Sequence, residues 1–482
     1  MSDLRAVGYI IGLLLSALAA TMAVPVGLDL WAGAGDWRVF AVSGAITLFV
    51  GGALSATCAD RARGGVTIRQ ALLMTAAIWA LAPVFAAIPF MIGAPGANFT
   101  DAYFEAMSGF TTTGATVFTG LDAMPPGILM WRAMLQWFGG IGIIVVALAI
   151  FPSLGVGGMQ LFKSESFDTM GKVLPRASEI AVSVSWVYLI LTLLCAFAYG
   201  ASGMDAFDAV AHAMTTIATG GFANYDASFA VFSPAAEYVS TAFMLLASLP
   251  LVRFVQLVSR QHGALFHDSQ VRAFLGVMAA ASLMIVAWRM LEATGDFETN
   301  LRQSLFNTAS VLTGTGYASA DYGAWGSLPV AVLFLIGLVG GCSGSATCAL
   351  KVFRFQVLFA AVNAQVRAIH SPSGVFIPRF QGRRIDDAVL SSVMSLFFFF
   401  VLTLATVAVA LAMMGLDATT AISGAASALA NIGPGFGEII GPSGNFASLP
   451  DNAKWLLSFT MLLGRLEVLS VFVLFTAAFW RA

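Results

Sequence analysis

The sequence predicts an all-α polytopic membrane protein: two extra N-terminal helices, then four M1–pore helix–M2 repeats around a pseudo-fourfold central pore. Three observations carry that prediction. The 482 residues are 59% hydrophobic and only 10% charged, far less charged than a soluble domain. Apolar runs long enough to cross a hydrocarbon core recur along the whole length. A Gly/Thr-rich stretch also interrupts the apolar pattern four times, at places that align with one another.

The two leading spans are "VGYIIGLLLSALAATMAVPVGL" and "VFAVSGAITLFVGGALSATCA", within residues 1–66. The N-terminus has some features of a signal peptide, with "ATMA" as a cleavage site. Its apolar run is longer than a signal h-region and another span follows, so a retained helix is expected. Many apolar segments exceed the length of a barrel strand and lack alternation, which makes helices the spanning element. About ten spans are expected, with no stretch left over for a separate soluble domain.

The repeats follow at 67–165, 166–265, 266–370 and 371–482. "DAYFEAMSGFTTTGATVF" from Asp101 aligns without a gap on "DAVAHAMTTIATGGFANY" from Asp208. Further versions are "NTASVLTGTGYASADY" from Asn307 and "SGAASALANIGPGFGE" from Ser423. The aligned glycines are Gly114, Gly221, Gly316 and Gly433. In each unit a span leads into a small-residue segment of about 10–14 residues, too short to cross a membrane that needs about 20. The Gly/Thr stretch comes next, and a second span returns. Each unit is thus a re-entrant loop, and all four share one orientation.

Non-helical backbone at membrane depth must be buried in protein or line a watery cavity. Four such loops around one axis can point carbonyls inward and replace the hydration shell of a permeating cation. Glycine supplies backbone freedom, threonine further oxygens, and the short helix aims its negative C-terminal end at the ion. No Asp or Glu lies at the aligned positions, so dipoles do the coordinating and a monovalent cation is favoured. Small residues also serve close helix packing, but four stretches at matching places favour a filter.

These motifs resemble the four pore loops of the Trk/Ktr/HKT superfamily of potassium transporters. The last helix, "MLLGRLEVLSVFVLF", is similar to that of the bacterial members. The two extra N-terminal helices point to its TrkH/TrkG-like branch. The resemblance implies potassium uptake through a selective, gated pore in the bacterial inner membrane, as a homodimer with one pore per protomer. Its potassium-binding residues carry over to Thr111, Thr112, Thr113 and Gly114; Ala218, Thr219, Gly220 and Gly221; Thr313, Gly314, Thr315 and Gly316; and Ala430, Asn431, Ile432 and Gly433. Family members with Ser at the first filter glycine tend to favour sodium, so Gly114 implies potassium. Asn431, Ile432 and Pro434 depart from the Thr-rich pattern, and asymmetry is expected there first.

The resemblance also implies a gate in the second helix of the third unit, at Gly340, Gly341, Cys342, Ser343, Gly344 and Ser345. Residue types of this kind interrupt a helix on their own account. Further glycines often follow in the family, where this chain has Cys348 and Ala349. Arg465 is expected mid-span in the last helix, and an intramembrane charge is a functional hypothesis by default. The family places the matching arginine in the permeation path beside the gate loop. Glu467 cannot face Arg465 on a helix, so its partner is expected elsewhere, in the dimer.

The net charge of −2 conceals an asymmetry. Most basic residues fall on alternate loops, including Arg61, Arg69, Lys163, Lys172, Arg176 and the run Lys351 to Arg384. That side is cytoplasmic by the positive-inside rule, which puts both termini in the cytoplasm. The opposite face carries Asp101, Glu105, Asp122, Asp208, Asp226 and other acids, and would concentrate cations. The resemblance adds docking of a cytosolic nucleotide-binding ring of the TrkA type, on 351–384 and 163–176. The chain has no GxGxxG after a strand and no Walker A pattern, so no organic cofactor is expected, and nothing suggests nucleic acid. The four cysteines form no CxxC pair and the four histidines no metal spacing; an enzyme is not expected. A proton- or sodium-coupled cation symporter is the alternative, with Glu467 the one intramembrane acid suited to coupling.

Overall fold

The computed structural model describes residues 4–59, 67–149, 177–258, 265, 267–292 and 295–481. Among them, seven helices are long and apolar enough to cross a membrane, and two bent pairs bring the number to nine. The leading hairpin pairs Arg5–Ala32 with Trp37–Cys58. Its helices cross at Gly12 and Gly51, where an added Cβ would stand 2.6 and 2.8 Å from the other glycine's carbonyl oxygen. Close backbone approach of this kind is how membrane helices gain packing without a hydrophobic drive.

Four units follow with one plan. Their outward helices are Ile68–Ala86, Ala177–Ala201, Ser269–Leu291 and Asp387–Met413. Their pore helices are Phe99–Phe110, Ala206–Ile217, Phe297–Thr313 and Ala418–Ala430, of 12, 12, 17 and 13 residues. The third exceeds the expected half-length. Every pore helix starts the same way, with an Asx side chain accepting from the backbone N–H three residues on. Asn98 takes Asp101, Asp205 takes Asp208, Asp296 takes Thr299 and Asp417 takes Thr420. Such caps satisfy N–H groups that the first helical turn leaves without partners.

The return helices break the symmetry. The first, Pro126–Ala149, is continuous. The second turns by 90° between Pro234–Ala247 and Leu251–Leu257, at a Pro250 that has no N–H to give the helix. The third stops at Val339 and resumes at Val352. The fourth turns by 109° after Arg465. Only the third interruption was expected. Arg465 does not lie within a continuous helix: it ends the helix Asp451–Arg465 at the bend of that pair, and Glu467 beyond it has a left-handed φ of 60°. Ahead of the fourth unit's outward helix a two-stranded hairpin, Arg379–Phe380 with Arg383–Arg384, is the one β-sheet among the described residues.

Candidate functional site

The four Gly/Thr stretches meet as a closed ring. Two residues in each adopt positive φ, spaced by two: Thr112 and Gly114, Thr219 and Gly221, Gly314 and Gly316, Asn431 and Gly433. The same backbone bond closes each pore helix, from Thr113 N–H to Ser108 O, Gly220 to Thr215, Thr315 to Ser310 and Ile432 to Ser427. A Cβ on Gly114 would strike the carbonyl oxygen of Gly220, one on Gly221 that of Thr315, one on Gly316 that of Ile432, and one on Gly433 that of Thr113, all under 3.0 Å. Each oxygen belongs to the residue just before the aligned glycine of the next unit. The order runs one to two to three to four and back to one, so the sequence alignment is reproduced as a physical circle. Positive φ and the lack of space together account for glycine at all four places.

Side chains behind the ring differ from unit to unit. In the first and third, Thr111 and Thr113, and Thr313 and Thr315, share hydroxyl bonds of 2.7 Å. The second unit, with Ala218 and Gly220 there, is held by a side chain of the first unit's return helix. Gln136 donates from Nε2 to Gly220 O at 2.6 Å and accepts at Oε1 from Phe222 N–H at 3.0 Å. One turn earlier, Arg132 donates to Ala223 O and to Glu105 Oε1, both at 2.8 Å. Glu105 is wholly buried and also accepts from Val117 N–H and the Thr116 hydroxyl. It supports the first strand from behind and does not belong to the acidic outer face to which the sequence assigned it. In the fourth unit Asn431 donates to the Thr113 hydroxyl at 2.8 Å and to Met461 O at 3.0 Å, while Ser427 donates to Gly433 O. The expected asymmetry is present in the fourth unit, and in the second as well.

Outside the ring, an open cavity of about 300 Å³ is lined by Gly114, Gly221, Gly316 and Pro434, with Tyr225 and Asp226 at its rim. Asp226 ties the mouth together, accepting from Gly120 and Leu121 N–H groups of the first unit.

Inside the ring lies the loop 340–351. It docks into the break of the second unit's return helix: Cys342 N–H donates to Ser248 O at 3.0 Å, Ala346 N–H to Ala247 O at 3.4 Å, and Leu251 N–H to Gly344 O at 3.0 Å. Helix ends left open by the bend thus find partners in the loop. Ser345 caps its own turn on Cys342 O and shares a hydroxyl bond with Thr347. Gly340, Gly344, Ala349 and Lys351 all have positive φ.

Arg465 is 2% exposed and reaches both structures. Its guanidinium donates to Ala346 O and the Cys348 sulfur of the loop, and to Gly139 O at 2.9 Å. Gly139 and Gly464 in turn pack against carbonyls in the last turns of pore helices one and four, Phe110 O and Leu429 O. The arginine therefore sits between the foot of the ring and the loop. Glu467, whose partner was expected elsewhere in the dimer, pairs with Arg354 of its own chain at 2.6 Å. Residues 163–176, expected as a docking segment, lie outside the described residues.

No metal cluster of His, Cys, Asp and Glu occurs among the described residues. Arg132 and Gln136 stand outside every motif, although two polar residues four apart in an apolar span ("WRAMLQWFGG") mark a buried role.

Residues 37–482 match the family described as TrkH, cation transport protein. The Trk system potassium uptake protein TrkI of Halomonas elongata is 44% identical over 474 residues, covering 98% of this chain and 96% of that one. The Trk system potassium uptake protein TrkH of Escherichia coli K12 is 35% identical, covering 99% of each. The crystal structure of the potassium transporter TrkH from Vibrio parahaemolyticus superposes with a TM-score of 0.92 at 31% identity, over 99% of this chain and 100% of that one.

Proposed function

The chain belongs to the TrkH family of cation transport proteins, and from that membership we propose that it carries potassium into a bacterial cell through a selective, gated pore. The observation that carries the reading is the ring in which each of Gly114, Gly221, Gly316 and Gly433 is seated against the next unit's carbonyl. Carbonyl oxygens held by such mutual packing present a field of fixed dipoles, suited to a weakly hydrated monovalent cation. The filter residues are 111–114, 218–221, 313–316 and 430–433, and 340–345 with Arg465 form the gate below. A guanidinium between ring and loop repels a cation in transit and, through its bonds to Ala346 O and Gly139 O, holds the loop beneath the filter.

Around this pore, the unit boundaries are those read from the sequence, both termini are cytoplasmic, and the protein works in the inner membrane as a homodimer. A cytosolic nucleotide-binding ring regulates it from the basic side, where 351–384 ends in an exposed hairpin carrying Arg379, Arg383 and Arg384. Coupled symport is the less favoured reading, because Glu467, the acid it would use, is engaged by Arg354. The test is flux through reconstituted protein in potassium, rubidium and sodium, for wild type and Gly114→Ser. The substitution should abolish potassium preference while leaving the protein folded. Unchanged ion preference would reject the filter assignment, and potassium flux that vanishes without a proton or sodium gradient would reject an uncoupled pore.

A further inference from the structure

Besides Arg465, a side chain of the third unit's own outward helix holds the gate loop. Gln270, in the first turn of the third unit's outward helix, is 2% exposed. Its Oε1 accepts the Ser343 N–H at 3.0 Å. The two residues before it are bonded in three other directions. Asp268 caps the helix on Gln270 N–H at 2.9 Å and accepts from Arg253 Nε at 2.9 Å, and Arg253 lies on the half-helix beyond the second unit's bend. Ser269 O accepts from Gln356 Nε2 at 2.9 Å, on the helix that resumes after the gate loop. Gln381, exposed in the turn of the cytoplasmic hairpin, donates to Asp268 Oδ1 at 3.2 Å and Ser269 Oγ at 3.3 Å.

From this juxtaposition we infer that Gln270 is a positioning residue for the gate, and that Asp268–Ser269–Gln270 links the Arg379–Arg384 hairpin to the gate loop. The inference rests on the reading of 340–345 as a gate. The physical content is short and continuous. An acidic partner surface pulling on the basic hairpin moves Gln381, Gln381 bears on the cap at Asp268 and Ser269, and the next residue in the chain carries the acceptor that fixes Ser343. All four elements meeting there flank the gate: the half-helix after the second break, the outward helix, the helix below the loop, and the hairpin. Coupling of this kind is a shared two-state element that both ends bias, and the loop docked in the second unit's break is that element.

The test uses the full chain in liposomes, without a cytosolic partner, reading rubidium flux. A second reading is the rate at which N-ethylmaleimide labels Cys342, buried beside Ser343. Gln270→Leu removes the acceptor. Loss of one buried hydrogen bond, about 1 kcal/mol, shifts a two-state population about fivefold, so basal flux and Cys342 labelling should both rise about fivefold. The potassium-to-sodium preference should not change, because the filter is untouched. Gln270→Glu keeps an acceptor oxygen and should restore both low values, which a merely structural contribution to folding would not do. Gln381→Ala should raise both in the same direction and by less. Should Gln270→Leu not fold, Gln270→Asn, shorter by one methylene, reads the same loss. Wild-type flux and labelling in Gln270→Leu, with Arg465→Ala leaking, overturns this inference and leaves the gate reading standing. No effect from Arg465→Ala as well removes the gate and the inference together. A wild-type Gln381→Ala beside a leaking Gln270→Leu overturns the link to the hairpin.

Discussion

Arg354 Nη2 lies 2.6 Å from Glu467 Oε1, so one ion pair joins the helix that follows the third unit's 340–351 loop to the bend of the fourth. Both side chains are at least nine-tenths buried. Glu467 has no glycine's freedom at φ 60°, and the pair supplies a reason for the chain to adopt that turn. Removing one charge from a buried pair leaves the other without compensation, at a cost of about 3–5 kcal/mol, whereas replacing both by apolar groups is often neutral. Glu467→Gln should therefore lower the melting temperature in detergent sharply, and Arg354→Met with Glu467→Leu should recover most of it. Equal losses in the single and double variants would mean the pair does not set the bend.

The ring glycines give a graded prediction. Alanine at Gly114, Gly221 or Gly316 meets the neighbouring carbonyl far inside contact, whereas at Gly433 the clearance to Thr113 O is 2.8 Å. All four need positive φ, so none is free of strain. Ion preference measured by potassium and sodium flux should fall in every variant and least in Gly433→Ala. A Gly433→Ala channel less selective than Gly221→Ala would contradict the steric account.

Gln136 tests support for a strand that has no threonine pair of its own. Gln136→Leu leaves Gly220 O and Phe222 N–H without their side-chain partner, two buried groups at about 1–3 kcal/mol each. The second strand should loosen, with potassium preference reduced and the gate unaffected. Gln136→Glu keeps the acceptor for Phe222 and loses the donor for Gly220, and should fall between. A selective Gln136→Leu pore would show that the strand is held by its ring neighbours alone.

What is legible in the sequence, and what is not, follows from the range of each constraint. Glycines with forced φ repeat with the fold, so Gly114, Gly221, Gly316 and Gly433 align within the sequence itself. Gln136 and Arg132 serve a strand of the next unit from a helix of their own, and no internal repeat reports such a contact. Glu105 reads as surface charge because only tertiary structure brings Arg132 to it at 2.8 Å. The bend at Pro250 has a local cause in plain view, yet a proline near the end of a span is usually just its end. The bend after Arg465 has neither Gly nor Pro, and depends on a partner 113 residues away.

The pore-helix caps offer a pH-dependent test with an internal control. The Thr420 hydroxyl and backbone hold the Asp417 carboxyl below its ordinary range, and Thr299 does the same for Asp296. A depressed folded-state pKa contributes stability that is present above the unfolded value, about 3.9, and is lost as pH falls through the folded value. The melting difference between wild type and Asp417→Ala should hold from neutral pH down to the carboxylate range and shrink below it. Asn98, the neutral cap of the first unit, should give an Asn98→Ala difference that does not shrink. Parallel pH profiles for the two would mean that Asp417 caps without its charge mattering.

Arg465 joins the loop to the foot of the ring, and its removal separates two effects that a closed gate combines. Arg465→Ala deletes a buried positive charge from between the ring and the loop, and also the bonds to Ala346 O, the Cys348 sulfur and Gly139 O. Closed-state leak should rise for every small monovalent cation without loss of potassium preference, since the ring's own contacts do not pass through the arginine. Arg465→Lys keeps the charge but cannot reproduce three donors fanned toward three acceptors. If charge repulsion sets the barrier, the lysine variant stays tight. If the bonded loop sets it, the lysine variant leaks nearly as much as alanine. The three-way bonding of the guanidinium, two contacts of it on the loop itself, favours the second outcome, and flux through Arg465→Lys at low salt measures it directly.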